Sequence, residues 1–410
     1  MKGDSAWSFC VVDDDHFIIE LVSRFLEQAG HSVWTSTSST SAFDEIVARR
    51  PTCVILDIMM PELDGLELCA RLRAVPELSG TKLLICSSKA YEFDKQRARE
   101  LGADGYIAKP ISHDTFLNEV EAVIRDRINV RFWGVHGTLP VPGPHTVRYG
   151  GNTSCVSLNL SGERMFIFDA GSGIRELSGH LMAQRKRIAA NIFISHPHWD
   201  HINALPFFAP LYVPGNQFDF YGAAHGSLGM RDLVAAQMNG VYFPITMREF
   251  GARLAFHDLR EETLTISGVE ISTMLLSHPG YCLGYRASYR GRSVCYVTDN
   301  ELYLPTMPAY SVHYVNRLIE FVRGADLLIT DTSFNDDAYP AKMNWGHSSV
   351  SQVLDLAHRG EVKTLCLFHH EPDQTDDDID RKLDFATQSL AKRKSQTKVM
   401  APAEGDSLFL

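Results

Sequence analysis

This 410-residue sequence predicts a doubly wound α/β domain with a five-stranded parallel sheet over residues 1–127, followed by an α+β domain over 128–410. Three observations carry that reading. The first 127 residues alternate short apolar runs with amphipathic stretches, the pattern of a parallel sheet covered by helices on both faces. Near residue 130 the texture changes to glycine-rich turns between β-rich segments. A chain this long also exceeds what one compact core ordinarily holds.

The elements of the first domain follow from those runs. Strands are expected at 9–12, 53–56, 83–86 and 105–107, with a weaker one near 32–35. A helix over 17–28 ends at Gly30 as a C-terminal cap, and a last helix over 112–127 starts at Ser112. No Pro/Gly/Ser-rich linker follows. The last helix runs into a strand at 130–133, so the short junction at 127–131 is expected to couple the domains mechanically. In the second domain, strands are expected at 155–160, 165–168, 192–195, 293–298 and 327–330, and a helix at 347–359. The acidic run 376–380 reads as a solvated helix start, and the aromatics of 223–250 as either a lid or a cap on the core.

Composition narrows the function classes. No apolar run approaches the roughly 20 residues that span a bilayer, and residues 1–10 do not read as a secretion signal, so a cytoplasmic location is expected. The eight cysteines form no CxxC pair and sit mostly in apolar runs, as buried free thiols do. The net charge is −11 and both halves are net acidic, so neither is a basic nucleic-acid platform.

Ligands of an open α/β sheet bind at the carboxyl ends of its strands. Those ends carry Asp13 and Asp14, Asp57, Ser87, and Lys109 with Pro110. Three converging carboxylates repel one another unless a cation sits among them, and oxygen ligands suit Mg²⁺. A lysine and a hydroxyl beside them suit phosphoryl oxygens on one carboxylate. The stretches VVDDD (11–15), ILDIMMPELDG (55–65), CSS (86–88) and GADGYIAKP (102–110) closely resemble response-regulator receiver domains, over about the first 127 residues. The resemblance implies that Asp57 takes phosphate from a histidine kinase or other phosphodonor. It further implies that Asp13, Asp14, Asp57 and the Met59 carbonyl hold Mg²⁺, that Ser87 and Tyr106 switch, and that Lys109 contacts the phosphate. Ser88 departs from the pattern, standing where a small apolar residue is common.

The strongest local signal is His196-Pro-His198-Trp-Asp200-His201, on a loop at a strand end. Its four donors cannot all reach one ion without strain. They can serve two, with His196 and His198 on one and Asp200 and His201 on the other, and the donor types suit Zn²⁺, Mn²⁺ or Fe. With FWGVHGTLPVPGPHTVRYGGNTSC (132–155), this motif resembles the metallo-β-lactamase superfamily over 130–410. The likeness is greatest to the branch of phosphodiesterases and transfer-RNA 3′-processing endonucleases. That resemblance implies a four-layer αββα sandwich with its metals at one edge. It implies His278 as a further ligand of the first ion, Asp299 as a bridge between ions, and His369, rather than the adjacent His370, on the second. It also implies an Asp331–His347 dyad that protonates the leaving oxygen, Asp200 as base as well as ligand, and Asp169 as support for a ligand histidine. His136 and His145 are candidates to line the cleft.

The expected function is a two-component response regulator whose output domain is a dinuclear metal hydrolase. Its expected substrate is a small phosphodiester such as a cyclic nucleotide, with turnover regulated through Asp57 and a homodimer as a possible assembly. Two alternatives stay open: an endoribonuclease that processes RNA, and a catalytically silent metal-site sensor.

Overall fold

The computed structural model of the chain describes residues 6–61, 63–78, 80–88, 92–125, 128–160, 164–241 and 243–410. The helix end and junction expected at Arg127, and Tyr242 of the 223–250 segment, lie outside the described residues. The chain divides into two compact units, one of Met1–Ile128 with Leu160–Glu163 and one of Asn129–Asn159 with Arg164–Leu410. Among the described residues no helix is long and apolar enough to cross a membrane.

The first unit is a parallel sheet of β1 (Ser8–Val12), β2 (Ser32–Ser36), β3 (Cys53–Leu56), β4 (Lys82–Ser87) and β5 (Gly105–Ala108), in the order β2-β1-β3-β4-β5. Side chains alternate across a strand, and both faces here are apolar. Cys10, Val12, Val54 and Leu56 pack against Ala42 and Ile46 of α2 (residues 39–49) and Leu68 and Leu72 of α3 (65–73). Phe9, Val11, Cys53 and Ile55 pack against Val22 and Leu26 of α1 (16–28) and Phe116 and Val120 of the last helix (113–125). The expected doubly wound fold is therefore present. Helix α1 starts at His16, one residue earlier than expected, because the Asp15 carboxylate accepts from Phe17 N at 2.8 Å.

The second unit contains two seven-stranded sheets among the described residues. The first holds residues 129–134, 155–160, 164–168, 189–193, 217–223, 253–259 and 407–409. The second holds residues 263–266, 269–275, 283–289, 292–297, 327–331, 364–368 and 398–400. Alternation builds the layers. Ile167, Ile192 and Ile194 face outward onto Ile174, Leu177 and Leu181 of the helix Ile174–Ala183. Their neighbours Phe168 and Phe193 face inward and meet Tyr285 of the second sheet at ring separations of 5.7 and 5.3 Å. From the second sheet, Cys295, Val297, Leu365 and Leu367 point outward to Leu318, Val353, Leu354, Ala386 and Leu390 of the helices Val312–Val322, Val350–Arg359 and Asp376–Lys392. The result is helix, sheet, sheet, helix.

Strand direction puts the chemistry at one edge. Residues 164–168 and 189–193 run parallel, as do 292–297, 327–331 and 364–368. Residues 269–275 are two antiparallel steps away from 292–297 and so share its direction. Asp169, His196, Asp299, Asp331, His369 and His278 all lie at or just past these carboxyl ends.

Three expectations are corrected. The strand expected at 192–195 is Ala189–Phe193, which leaves Ser195 on the loop. The helix expected at 347–359 is Val350–Arg359, because Ser349 and Gln352 form a capping box, so His347 stands in the preceding loop. The acidic run 376–380 is not simply solvated. Asp376 is buried and accepts from Arg148 N at 2.9 Å, and Asp380 accepts from the Tyr149 hydroxyl at 2.6 Å. The run thus pins the 145–149 turn. In the 223–250 segment, Met230, Val234, Met247 and Phe250 pack into the core, while Phe243 meets Phe207 at 5.3 Å.

Candidate metal centre and phosphoacceptor site

Two donor groups meet at the sheet edge of the second unit. His196, His198, His278 and Asp299 form one, and Asp200, His201, Asp299 and His369 the other; within each group the donor atoms lie within 4.8 Å of one another. Asp299 belongs to both and divides its oxygens between them. Its Oδ2 lies 3.5 Å from His196 Nε2 and 3.7 Å from His278 Nε2. Its Oδ1 lies 3.3 Å from His201 Nε2 and 3.1 Å from His369 Nε2. Asp200 Oδ2 is 3.1 Å from both His201 Nε2 and His369 Nε2. Of the adjacent pair, His369 joins the cluster. The buried His370 places its Nδ1 3.2 Å from Lys382 Nζ.

The residues fit two divalent cations on the structure's own terms. His196 Nε2 and His201 Nε2 are buried yet lack a well-directed hydrogen-bond partner, and such orphans cost free energy unless something else meets them. Burial and the neighbouring His201 hold His196 well below the usual histidine range, in the neutral form a metal ligand needs. Burial disfavours charge on His201 as well, but Asp200, Asp299 and Asp169 raise it well above that range.

The ring nitrogens facing away from the cluster are held in turn. His201 Nδ1 lies 2.7 Å from Asp169 Oδ2, which also accepts from the Ser195 and Tyr296 hydroxyls at 2.8 Å each. His278 Nδ1 lies 3.0 Å from the Gly346 carbonyl, and His369 Nδ1 3.1 Å from Ser333 Oγ. Such partners fix ring orientation and tautomer. Thr138 N donates to Asp200 Oδ2 at 2.7 Å. Backbone strain concentrates here. Thr138, Asp169, Asp299 and His369 all have positive φ, a conformation that costs roughly 1–3 kcal/mol per residue and gathers at functional sites.

His347 lies beside this cluster, with its ring stacked 5.2 Å from His369. Its Nδ1 is 2.7 Å from Asp331 Oδ2, and Asp331 Oδ1 accepts from Ser333 N and Oγ. Burial opposes charge on the His347 ring, but Asp331, with Asp299 and Asp200 beyond it, pushes its pKa up to about 9. His136 is buried beside His370, while His145 is exposed and offers its carbonyl to Asp376 N. Sequence reasoning missed Ser195, Ser333, Tyr296, Thr138 and Gly346. Only Gly346 left a signal, in the NWGHSS motif. Its φ is +89°, and an added Cβ would come within 2.3 Å of His278 Nδ1.

In the first unit, Lys109 Nζ lies 2.8 Å from Asp13 Oδ2 and 2.8 Å from Asp57 Oδ1. Met59 N donates to Asp57 Oδ2 at 2.5 Å. Asp13 and Asp57 are buried and Asp14 is exposed. Burial raises the Asp13 carboxyl pKa, and the Lys109 ammonium beside it opposes that shift. The fully buried Ser87 hydrogen-bonds the Tyr106 hydroxyl. Asp13, Asp57 and Lys109 are thus brought together at the carboxyl end of the sheet, and Ser87 ends its strand there.

Residues 9–121 match the family described as Response regulator receiver domain, and residues 164–370 match Beta-lactamase superfamily domain. Over 115 residues the chain is 36% identical to the alkaline phosphatase synthesis transcriptional regulatory protein PhoP of Bacillus subtilis, covering 28% of this chain and 47% of that protein. It is 35% identical over 115 residues to response regulator MprA of Mycobacterium sp. (strain KMS), covering 28% and 49%. The chain spans about half the length of the curated relatives it matches. Among solved structures, the metallo-beta-lactamase fold protein YhfI from Bacillus subtilis aligns with a TM-score of 0.51 at 18% identity, over 70% of this chain and 100% of that one. The likeness to YhfI shows the fold.

Proposed function

This chain belongs to the beta-lactamase superfamily and carries a receiver domain at its N-terminal end, and from that premise we propose that it is a response regulator whose output is a dinuclear metal phosphodiesterase. Residues 1–127 are the receiver and 128–410 the hydrolase in this reading. The observation that carries it is Asp299, with one oxygen toward each donor group. A carboxylate shared in this way suits a pair of cations, and a pair suits in-line displacement at phosphorus.

His196, His198, His278 and Asp299 would hold one ion, and Asp200, His201, Asp299 and His369 the other, with Zn²⁺ first and Mn²⁺ or Fe as further candidates. Two such ions supply a water activated near neutral pH and stabilise charge on phosphoryl oxygens. Asp200 accepts the proton of the attacking water. His347, held by Asp331, donates a proton to the leaving oxygen, which otherwise departs as a costly alkoxide.

The residues next to the donors suit a substrate with a planar group. Trp199, between His198 and Asp200, is 81% exposed, and Trp345, two residues before His347, is 59% exposed. Exposed tryptophans suit stacking on a planar group such as a nucleobase. RNA would call for a basic track, and the chain is net acidic.

Hydrolysis of a chromogenic phosphodiester by protein loaded with Zn²⁺ or Mn²⁺ tests the reading. Wild type should turn over, and His198→Ala, lacking one donor, should lose most activity. An inactive wild type holding two ions would favour the sensor alternative. Phosphorylation is tested separately. With Mg²⁺ and a small acyl-phosphate donor, wild type should take up one phosphoryl group and change its turnover, and Asp57→Asn should do neither. Uptake by Asp57→Asn would move the acceptor elsewhere.

A further inference from the structure

The four residues Asp299-Asn300-Glu301-Leu302 contact the segments that carry His278 and His347. Asp299 is the shared carboxylate. The Asn300 side chain accepts from Ser277 N at 3.0 Å, and Glu301 N donates to Ser277 O at 2.8 Å, so together they fix the residue before His278. Leu302 N donates to Ser348 Oγ at 3.0 Å, and Ser348 Oγ donates to Asn300 O at 2.5 Å, fixing the residue after His347.

The Glu301 side chain completes this arrangement. It is fully buried, so its polar atoms must find partners within the protein. Its Oε1 accepts from the Tyr339 hydroxyl at 2.9 Å and from Asn344 N at 2.8 Å, and its Oε2 accepts from Gly346 N at 2.8 Å. One carboxylate thereby clamps both ends of the loop 339–346. Asn344 and Gly346 both have positive φ, of 67° and 89°, which these two residue types adopt readily, so the sequence permits the turn and the carboxylate fixes it. What the clamp holds in place is functional. The Gly346 carbonyl orients His278, and the next residue is His347.

We propose that Glu301 is a positioning residue that, through the backbone of Asn344 and Gly346, fixes both the metal-facing orientation of His278 and the proton donor His347. It touches neither substrate nor metal. The inference rests on the dinuclear reading of the site and deepens it by assigning one residue to two tasks.

Glu301→Gln keeps the shape and one acceptor oxygen but turns an amino group toward one of the clamped N–H donors. Two readouts report the two tasks. In the first, metal-loaded full-length protein is titrated with a chelator and bound Zn²⁺ is counted. Wild type should hold two ions, while Glu301→Gln should release one of them at a chelator concentration about 10–100-fold lower, the range for lost support of a metal ligand. In the second, kcat for a phosphodiester should fall while KM changes little, and the basic limb of the pH profile should move, because His347 shifts relative to Asp331. A role in folding alone would lower the melting temperature and leave metal release and the pH limb unchanged, which overturns the inference. If Glu301→Gln does not fold, Glu301→Asp keeps the charge one methylene short and is read by the same two measurements, with the same outcomes deciding. A wild type that binds fewer than two ions overturns the dinuclear reading and this inference with it. A two-ion wild type indistinguishable from Glu301→Gln overturns only the inference.

Discussion

Asp299→Ala is expected to lose both metal ions and to cut kcat/KM by on the order of 10⁴-fold or more, about 5.5 kcal/mol of transition-state stabilisation. The size follows from sharing. Asp299 is the donor common to the two four-residue groups, so the loss of another of their donors weakens one ion directly, whereas Asp299 faces four histidine nitrogens at 3.1–3.7 Å from two oxygens. Without it the first group is three neutral imidazoles with no counter-charge, and the second keeps Asp200 alone. Two cations brought this close would also lose the anion that screens their mutual repulsion. Metal analysis after dialysis and turnover at saturating metal check the two halves of this prediction. Retention of both ions with activity within tenfold of wild type would show that the carboxylate is not shared, and the dinuclear mechanism would go with it. Asp299→Asn is the informative companion. It keeps the shape and one oxygen but not the charge, so retention of a single ion would identify charge as what holds the pair.

How much of this was legible beforehand depends on how locally each part is encoded. HPHWDH packs four donors into six residues, so its chemistry can be read from the string. The receiver pattern is equally local, because Asp13, Asp57 and Lys109 directly follow apolar strands whose direction fixes where they stand. His278, Asp299 and His369 are single residues far apart in sequence, and only a family resemblance could gather them. The supports were harder still. Ser195, Ser333 and Tyr296 are ordinary polar residues whose roles come from partners up to 127 positions away. Glu301 is invisible to pattern reading for the same reason, since its partners are mainly backbone N–H groups, which carry no sequence signature. Local competition explains the boundary errors. Ser349 caps the helix that apolar periodicity would have started at His347, and that one cap turns His347 from a helical residue into a loop residue free to face the cluster. Charge density alone suggests solvation for the acidic run 376–380, whereas Asp376 accepts hydrogen bonds from the backbone amides of the 148–149 turn.

The second large effect is expected at His347, and it depends on the leaving group. A nitrophenolate departs without help, whereas the alkoxide of a ribose or glycerol needs a proton as the bond breaks. His347→Ala should therefore be nearly silent on a nitrophenyl phosphodiester. On a cyclic nucleotide or alkyl phosphodiester it should cost roughly 10²–10⁴-fold, the usual worth of a general acid. Equal losses on both substrates would mean that His347 supports the metals rather than the leaving group. The pH profile gives an independent check through its partner. Burial lowers the His347 pKa, and Asp331, 2.7 Å from Nδ1, raises it to about 9. Bound cations oppose Asp331, so the wild-type basic limb belongs at or below that value. The acid form is the active one, so turnover of an alkoxide substrate is full below the limb and falls as pH rises through it. Asp331→Asn removes the charge that raises the pKa while leaving an oxygen that can still orient the ring. Its limb should move to lower pH, with the acid-side plateau reduced less than in His347→Ala. A limb that stays in place would show that some other group titrates there. Since Asp331 Oδ1 is also held by Ser333, whose hydroxyl lies 3.1 Å from His369 Nδ1, metal content must be measured on the same Asp331→Asn sample. A moved limb with two ions still bound assigns the shift to the dyad itself.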